Sequence, residues 1–316
     1  MSIKEKKAQF ELEKAQKVYE SSILTFHGVE GYDVYNCSIP FTWKGKEYIY
    51  GRVEKREDWA RSWVRLFEKT GEDDYTLVKD HMIYQLEDPY ISMIHGEIVL
   101  GGTHVRKRGG KIDTFYGYFY RGTDLNDMTY FTTGPEYMKD IRLVELADGR
   151  IGVFSRPRNE EIKRKYGTEA MIGFTVINSL DELTDEVILL AKPIEGIFSK
   201  GEWGGCNQAY LLKDGTVGII GHQCYNQPVE EGEPLAVYVN ISLEFDPVSF
   251  EVKNRKIIGS RSCYPAGPAK IPSLVDCTFT SGITLRKDGR VNLYGGIGDT
   301  MQGRIVIDYP FSMVLA

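Results

Sequence analysis

The feature that most constrains the fold of this chain is a hairpin unit that recurs along most of its length. Each copy consists of an apolar strand, a turn that contains glycine, and a second strand that ends at or next to Gly or Ser. The copies are SIPFTWKGKEYIYGR, YISMIHGEIVLGG, LVELADGRIGVFS, AYLLKDGTVGIIG and TLRKDGRVNLYGG. Gly supplies positive φ in a two-residue hairpin turn, and the Asp-Gly pairs at 148/149, 214/215 and 288/289 are strong hairpin signals. The chain is therefore predicted to contain five hairpins.

The spacing of these hairpins indicates how they assemble. The turn glycines are Gly45, Gly96, Gly149, Gly215 and Gly289. Further strand-like runs, such as DTFYGYFYRG and AVYVNISLEFD, follow each hairpin and predict three or four strands per unit. One such sheet buries too little surface to be stable alone, so sheets stacked around an axis complete the core. The sequence thus predicts an all-β fold, a five-bladed β-propeller. A two-sheet sandwich is the competing interpretation, and the regular repetition of the hairpin argues against it.

The N-terminal segment has a different pattern. Residues 3–21 alternate Lys and Glu around a narrow apolar stripe with roughly helical spacing, which predicts one amphipathic helix. The predicted domains are this helix, residues 1–22, and a single propeller, residues 23–316. Closure of the ring requires an outer strand from one end of the chain. Ile23 to Phe26 is the predicted partner of the C-terminal run RIVIDYPF.

Composition excludes several functional classes. A net charge of −6 argues against a broad surface for nucleic acid. The five cysteines are odd in number and widely spread, so neither a disulfide framework nor a zinc site is predicted. No apolar leader or membrane-length stretch is seen, and with reduced thiols this favours the cytoplasm. We expect no metal, no nucleic-acid partner and no membrane partner, and the sequence leaves the oligomeric state open.

Candidate site residues lie at the start of each hairpin. In a propeller the innermost strands start near the axis, so polar residues at these positions converge from distant parts of the sequence. They lie in the segments 33–36, 87–89, 139–142, 204–208 and 276–278. Strand starts are normally poor in Asp and Asn, which makes acidic or amide residues at all five informative. The alternative is that these residues only cap turns through side chain to backbone hydrogen bonds.

A second set of polar residues follows the hairpins. Arg142, Arg156 and His222 accompany apolar strand segments, and burial of such groups usually requires an anionic partner. Arg52, His104, Arg156 and His222 belong to this second set, and Arg142 belongs to the strand starts. Strand alternation sends some of these side chains to solvent.

An acidic centre with nearby cations limits the possible chemistry. Glycoside hydrolysis needs two carboxylates, one as proton donor and one to activate water or attack carbon. Phosphorolysis needs only the acid, because phosphate is the nucleophile and guanidinium groups bind it bidentately. Aromatic residues near the strand starts, including Tyr225, are candidates for stacking on sugar faces.

The strings QLEDPYISMIHGEIVLGGTHV, GYDVYNCSIPF, MKDIRLVELADGRIGVFSRPR, GEWGGCNQAYLLKDGTVGIIGHQCY and DCTFTSGITLRKDGRVNLYGG carry a family resemblance. Together they resemble the mannogen-type β-1,2-mannosyltransferase/phosphorylases of glycosyltransferase family 108, formerly a domain of unknown function. That family is related to the mannoside phosphorylases of glycoside hydrolase family 130. The resemblance runs from about residue 23 to the C-terminus.

The resemblance implies an inverting enzyme that interconverts β-1,2-mannosides plus phosphate with mannose 1-phosphate. Asp88 matches the family's acidic catalytic residue and would protonate the glycosidic oxygen. The implied phosphate-binding residues are Arg142, Arg156 and His222. The predicted substrate-binding residues are Asp33, Asn36, Arg52, His104, Asn207, Gln208, Tyr225 and Asp276. No cofactor is expected, and inorganic phosphate is the co-substrate.

Two other functions remain open on the sequence. A glycoside hydrolase on the same propeller would use Asp88 as acid and Asp33, Asp140 or Asp276 as base. A non-catalytic propeller would only bind sugar, because a fold does not determine a function. Some members of the family use a nucleotide-activated mannose. No feature of the sequence identifies a guanine-nucleotide site.

Overall fold

The N-terminal helix is shorter than the sequence predicts. The computed structural model describes residues 1–316, and in it helix α1 spans Ile3–Glu13 with Ser2 as its N-cap. A short 3-10 turn, Lys14–Gln16, follows, and strand β1 then occupies Val18–Ile23. The prediction of a helix as far as residue 21 is therefore wrong in its second half. Val18, Tyr19 and Ile23 favour strand, and a neighbouring strand is available to pair with them.

The remaining elements form sheets in the order of the chain. The sheet that follows β1 along the chain contains β2 (Thr25–His27), β3 (Asp33–Tyr35), β4 (Phe41–Trp43), β5 (Lys46–Glu54), β6 (Trp63–Lys69) and β7 (Asp74–Leu77). Its strand order is β2-β7-β6-β5-β3, and β4 pairs with β5. The next sheet contains β8 (Glu87–Ile94), β9 (Glu97–Arg108), β10 (Lys111–Gly122) and β11 (Thr129–Thr133), in chain order.

Two more four-stranded sheets follow, and both keep the chain order of their strands. One contains β12 (Arg142–Glu145), β13 (Ile151–Ser155), β14 (Gly173–Ile177) and β15 (Lys192–Pro193). Helix α2 (Glu160–Tyr166) lies between β13 and β14, and helix α3 (Asp185–Leu189) precedes β15. The other contains β16 (Glu202–Leu211), β17 (Val217–Gln227), β18 (Leu235–Phe245) and β19 (Val252–Ser260).

The two ends of the chain share one sheet. Strands β20 (Thr278–Leu285), β21 (Val291–Ile297) and β22 (Met301–Ile307) are completed by β1, in the order β1-β22-β21-β20. Strand β1 pairs antiparallel with β22, with Ser22 opposite Arg304. The predicted closing strand therefore exists but occupies 18–23. Strand β2, which contains the predicted residues Thr25 and Phe26, pairs in parallel with β7 instead.

These five sheets are the blades of a five-bladed β-propeller, as the repeat predicts. By compactness the chain divides into two units. The first unit comprises Met1–Pro89, His222–Ile241 and Ile257–Pro310; the second comprises Tyr90–Gly221, Ser242–Lys256 and Phe311–Ala316. Each has its own apolar core. Val34, Ile49 and Phe67 lie in that of the first, and Val99, Phe119 and Val153 in that of the second.

The five predicted hairpin turns are present, but they are of two kinds. In the turn at Gly96 the preceding residue, His95, also has positive φ, 50° against 80° for the glycine, which is the two-residue turn that the sequence predicts. The three Asp-Gly turns are longer. Gly149 N–H donates to Leu146 and Leu146 N–H to Arg150, so only the glycine is left-handed and forms a bulge. The Asp148 carboxylate accepts a hydrogen bond from the N–H of Arg150 at 3.0 Å and stabilises this turn.

No helix of the chain has both the length and the apolar character needed to cross a membrane.

Candidate functional site

Three of the predicted strand-start residues have an unusual backbone conformation. Asn36, Asp88 and Asp140 have φ of 45°, 48° and 58°. Non-glycine residues rarely occupy this left-handed region, although Asn and Asp tolerate it better than most. Such conformations cost about 1–3 kcal/mol each and cluster at functional sites. Local backbone strain therefore marks these three positions in addition to their sequence pattern.

Asp88 is held by two buried side chains of the first unit. Its Oδ1 atom accepts hydrogen bonds from Arg52 Nη1 at 2.9 Å and from Asn36 Nδ2 at 3.0 Å. Asp88 and Asn36 are only 5% and 4% exposed. Both bonds converge on one carboxylate oxygen, so Oδ2 is outside them. This arrangement fixes the direction of the carboxyl group.

Arg52 connects Asp88 to two further carboxylates. Its Nη2 atom donates to Glu54 at 2.8 Å and to Glu87 at 3.0 Å, and its Nε atom donates to Ser62. Burial lowers the pKa of Arg52. Neighbouring groups, the carboxylates Glu87 and Asp88 among them, together raise the pKa by a larger amount, so the net shift is upward. Arg52, predicted to bind substrate, is thus surrounded by acidic groups of the protein.

The sequence prediction missed three charged residues of this cluster. Asn36 Nδ2 also donates to Asp299 Oδ1 at 3.2 Å, so one amide bridges two carboxylates. Asp299 has φ of 55° and follows Gly298 in the turn between β21 and β22. From the sequence, this segment can be recognised only as a turn. Glu54 forms an ion pair with Lys270, and both side chains are buried. Strand alternation places Glu54 on the same face as Arg52, a usable signal. Lys270 lies in a loop outside the repeat.

A second polar cluster lies in the second unit and contains Arg142, Arg156 and Asp140. Arg156 Nη1 donates to Asp140 Oδ2 at 2.7 Å, and Arg142 Nη2 lies 3.7 Å from Asp140 Oδ1. The two arginines are 4% and 7% exposed. Their Nε atoms donate to the carbonyl oxygens of Asn207 at 2.7 Å and Gly204 at 2.9 Å. Two fixed guanidinium groups on one carboxylate form a positively charged group that is suited to an oxyanion.

The remaining predictions in the second unit fall at two further places. Gln208 is buried, and its amide donates to the carbonyl of Ile91 at 3.1 Å. His104 stacks on Tyr118, with ring centres 4.7 Å apart. Asn207 contacts Arg142 through its backbone carbonyl.

The other predicted residues belong to the first unit. His222 is fully buried and stacks on Tyr238, with ring centres 5.6 Å apart. Asp33 forms an ion pair with Arg56, and the Oδ2 atom of Asp276 lies 2.9 Å from Lys7 Nζ of helix α1. Burial raises the pKa of Tyr225, and the nearby positive charge of Lys7 opposes this shift. The structure therefore brings Asn36 and Arg52 to Asp88 and gives Asp33 and Asp276 protein partners of their own.

One family model and several solved structures match this chain. The family model described as "Protein of unknown function (DUF1861)" matches residues 10–313. No match was found among curated protein sequences. A mannose phosphorylase from Leishmania mexicana, solved in complex with phosphate ion, is 55% identical, covers 99% of this chain and 96% of its own, and superposes with a TM-score of 0.92.

Two other solved structures extend the comparison. A GDP-Man-dependent mannosyltransferase from Leishmania mexicana is 44% identical over 100% of this chain and 98% of its own, with a TM-score of 0.91. A β-1,2-mannobiose phosphorylase from Listeria innocua is 15% identical over 88% of this chain and 91% of its own; its TM-score of 0.61 reflects the fold alone. The chain belongs to the DUF1861 family, and its similar solved structures include a mannose phosphorylase and a mannosyltransferase.

Proposed function

We propose that this protein is an inverting β-1,2-mannoside phosphorylase and mannosyltransferase. It interconverts a β-1,2-mannoside plus inorganic phosphate with mannose 1-phosphate and the shortened sugar. The observation that carries this proposal is the buried Asp88 carboxyl group, fixed through Oδ1 by Arg52 and Asn36. The 55% identity to a mannose phosphorylase supports the substrate class.

Asp88 is the proposed proton donor. In phosphorolysis the bond between C1 of the mannosyl group and the glycosidic oxygen breaks, and that oxygen takes the proton of Asp88, directly or through a sugar hydroxyl. A phosphate oxygen forms the new bond to C1 from the opposite face, so the β-mannoside yields α-mannose 1-phosphate. In synthesis the acceptor hydroxyl returns its proton to Asp88. General acid catalysis of this kind contributes about 10²–10⁴-fold to a rate.

Arg142 and Arg156 are the proposed phosphate-binding residues. Their guanidinium groups are buried and oriented through Nε by backbone carbonyls, so binding of an oxyanion needs little reorganisation. Asp140 balances one of the two positive charges. The phosphate ion bound by the 55% identical mannose phosphorylase supports an anion site in this protein. His222, whose ring stacks on Tyr238 and contacts Phe279 at a tilt, is a further candidate for phosphate binding.

The proposed reaction needs no cofactor beyond phosphate as co-substrate. Asn36 and Asp299 are the proposed partners of sugar hydroxyls near Asp88, because their polar groups meet there. All five cysteines are buried and none is in a disulfide, which supports a reducing compartment, in keeping with the cytoplasm. GDP-mannose is a second candidate donor, on the strength of the 44% identical GDP-Man-dependent enzyme.

The test is the phosphate dependence of product formation. The purified protein is incubated with β-1,2-mannobiose, with and without inorganic phosphate, and products are followed by ³¹P NMR and by assay of reducing sugar. We expect mannose 1-phosphate only when phosphate is present, and no release of free mannose above background without it. Phosphate-independent hydrolysis would identify a glycoside hydrolase. Binding of mannobiose without turnover in either direction would identify a non-catalytic sugar-binding protein.

A further inference from the structure

A buried ionic network surrounds the proposed catalytic acid. Arg52 Nη1 donates to Asp88 and Arg52 Nη2 to Glu54, so the planar guanidinium spans both carboxylates. Glu54 is 0% exposed, and Arg52 is 2% exposed. A carboxylate without solvent contact needs paired charges and hydrogen bonds to remain ionised. The partners of Glu54 are therefore part of what holds Arg52 in place.

Glu54 has a complete set of such partners. Its Oε2 atom accepts from Arg52 and Ser62, and its Oε1 atom accepts from Tyr35 at 2.9 Å and from Lys270. Lys270 Nζ also lies 3.1 Å from the hydroxyl of Tyr35. Glu54 thus lies between two cations, and only one of them, Arg52, reaches Asp88.

Lys270 enters this network from a loop that is itself docked. Its backbone N–H donates to Gly298 at 2.8 Å, and Thr300 Oγ1 donates to Pro268 at 2.9 Å. These contacts attach the segment around Lys270 to the turn that carries Asp299. The buried end of Lys270 is therefore placed by its own backbone as well as by its charge.

We propose that Glu54 and Lys270 are positioning residues for the reaction, with Glu54 holding Arg52 in the orientation that fixes the proton donor Asp88. This inference rests on the proposed function, in which Asp88 protonates the glycosidic oxygen. Neither residue is assigned a contact with substrate. Their effect on catalysis passes through Arg52.

The network has an electrostatic consequence that a packing role lacks. The charged or titratable groups around Arg52 and Lys270 are Asp33, Tyr35, Glu54, Glu87, Asp88 and Asp299. Loss of the negative charge at Glu54 makes the surroundings of the proton donor more positive, and loss of the positive charge at Lys270 makes them more negative. The two changes therefore act in opposite directions on a reaction that needs the protonated acid.

The experiment compares Glu54→Gln and Lys270→Gln with the wild-type enzyme in pH–rate profiles of mannobiose phosphorolysis. We expect kcat to fall on the order of 10²-fold for Glu54→Gln with little change in KM, because the acid is misplaced while sugar contacts remain. The high-pH limb of the profile should move to lower pH for Glu54→Gln and to higher pH for Lys270→Gln, each on the order of one pH unit. Lys270→Arg should restore the wild-type limb.

Lys46→Gln, which breaks the exposed Lys46–Glu68 pair, is the matched control and should match wild type throughout. High-pH limbs that do not move in Glu54→Gln and Lys270→Gln, or that move in the same direction in both, would overturn the proposal while leaving the proposed function intact. If Glu54→Gln does not fold, the shift of the high-pH limb in Lys270→Gln and its restoration in Lys270→Arg test the proposal.

If the wild-type enzyme shows no phosphorolysis, the proposed function fails. The crystal structure of Glu54→Gln is then the test: we expect Arg52 Nη1 to leave Asp88 Oδ1, and retention of the 2.9 Å contact would refute the positioning role.

Discussion

Arg52 Nη1 lies 2.9 Å from Asp88 Oδ1, and the side chains of these residues are only 3% and 6% exposed. A buried charged pair of this kind adds little net stability, because desolvation offsets the Coulomb attraction. Its main physical effect here is orientation, since the fixed guanidinium and the Asn36 amide together define where the carboxyl group points.

Arg156→Gln should weaken phosphate binding more than sugar binding. The change removes a guanidinium held by Asp140 and Gly204, and a charged hydrogen bond contributes about 1.5–3 kcal/mol, or roughly 10- to 150-fold in KM for phosphate. Initial rates at varied phosphate and fixed mannobiose measure this. Arg150→Gln, at an exposed ion pair with Asp148 in the same unit, is the control. An unchanged KM for phosphate would refute the proposed role of Arg156.

Gly296→Ala should reduce activity by displacing Asn36. A Cβ atom at this position would lie 1.8 Å from Asn36 Oδ1, so the amide that bridges Asp88 and Asp299 must move. We expect a large loss of kcat and about 1–3 kcal/mol lower stability, as for overpacking in a core. Turnover and urea unfolding measure both effects. Gly71→Ala, whose Cβ would lie nearest to the side chain of Asp74, at 3.0 Å, is the control. Full activity of the Gly296→Ala protein would argue against a role for the Asn36 bridge.

Arg304→Lys should weaken the sheet that joins the two ends of the chain. Arg304 on β22 binds both carboxylate oxygens of Asp73, at 2.7 and 2.9 Å, and reaches Glu20 on β1. Lysine keeps the charge but cannot form the bidentate contact, so we expect about 1–3 kcal/mol lower stability in thermal unfolding. The matched control is Arg61→Lys at the exposed pair with Asp58. Equal Tm values for Arg304→Lys and wild type would contradict this expectation.

Glu11 should make stability depend on pH in the acidic range. Burial raises the pKa of Glu11, but its hydrogen bonds with Ser262, Lys14 and Ser260 outweigh this effect and lower the pKa to about 2. Because the folded-state pKa lies below the ordinary value of 4.5, the stabilisation is complete above that value and is lost as pH falls toward 2. Glu11→Gln should therefore be less stable than wild type at neutral pH, and the difference should shrink below about pH 4.5. Urea unfolding between pH 2.5 and 7 tests this; a difference that is constant with pH would contradict it.

The fold was predictable because its signals are local. Turn glycines such as Gly149 and their flanking strands recur, and each can be recognised within about a dozen residues. The end of helix α1 was not predictable in the same way. Val18–Ile23 becomes a strand because β22, nearly 300 residues away, provides hydrogen-bond partners.

The site was predictable where a residue type marks a backbone requirement. Asp88 lies at the start of β8 and Asn36 directly after β3, and both residue types tolerate positive φ, so residue type and backbone conformation agree at these two positions. Ion-pair partners are set by the tertiary fold, and for that reason the pairing of Asp276 with Lys7 and of Glu54 with Lys270 could not be foreseen.

The central claim is that Asp88 supplies the proton to the leaving sugar, and the dependence on leaving group tests it most directly. Asn tolerates the φ of 48° at this position, so Asp88→Asn removes the proton donor while keeping the backbone. We predict that Asp88→Asn slows phosphorolysis of β-1,2-mannobiose by about 10²–10⁴-fold, with an unchanged Tm. Phosphorolysis of 2,4-dinitrophenyl β-mannoside, whose leaving group needs no proton, should be slowed far less. Equal losses on both substrates, or full activity on mannobiose, would contradict the assignment of Asp88 as the acid.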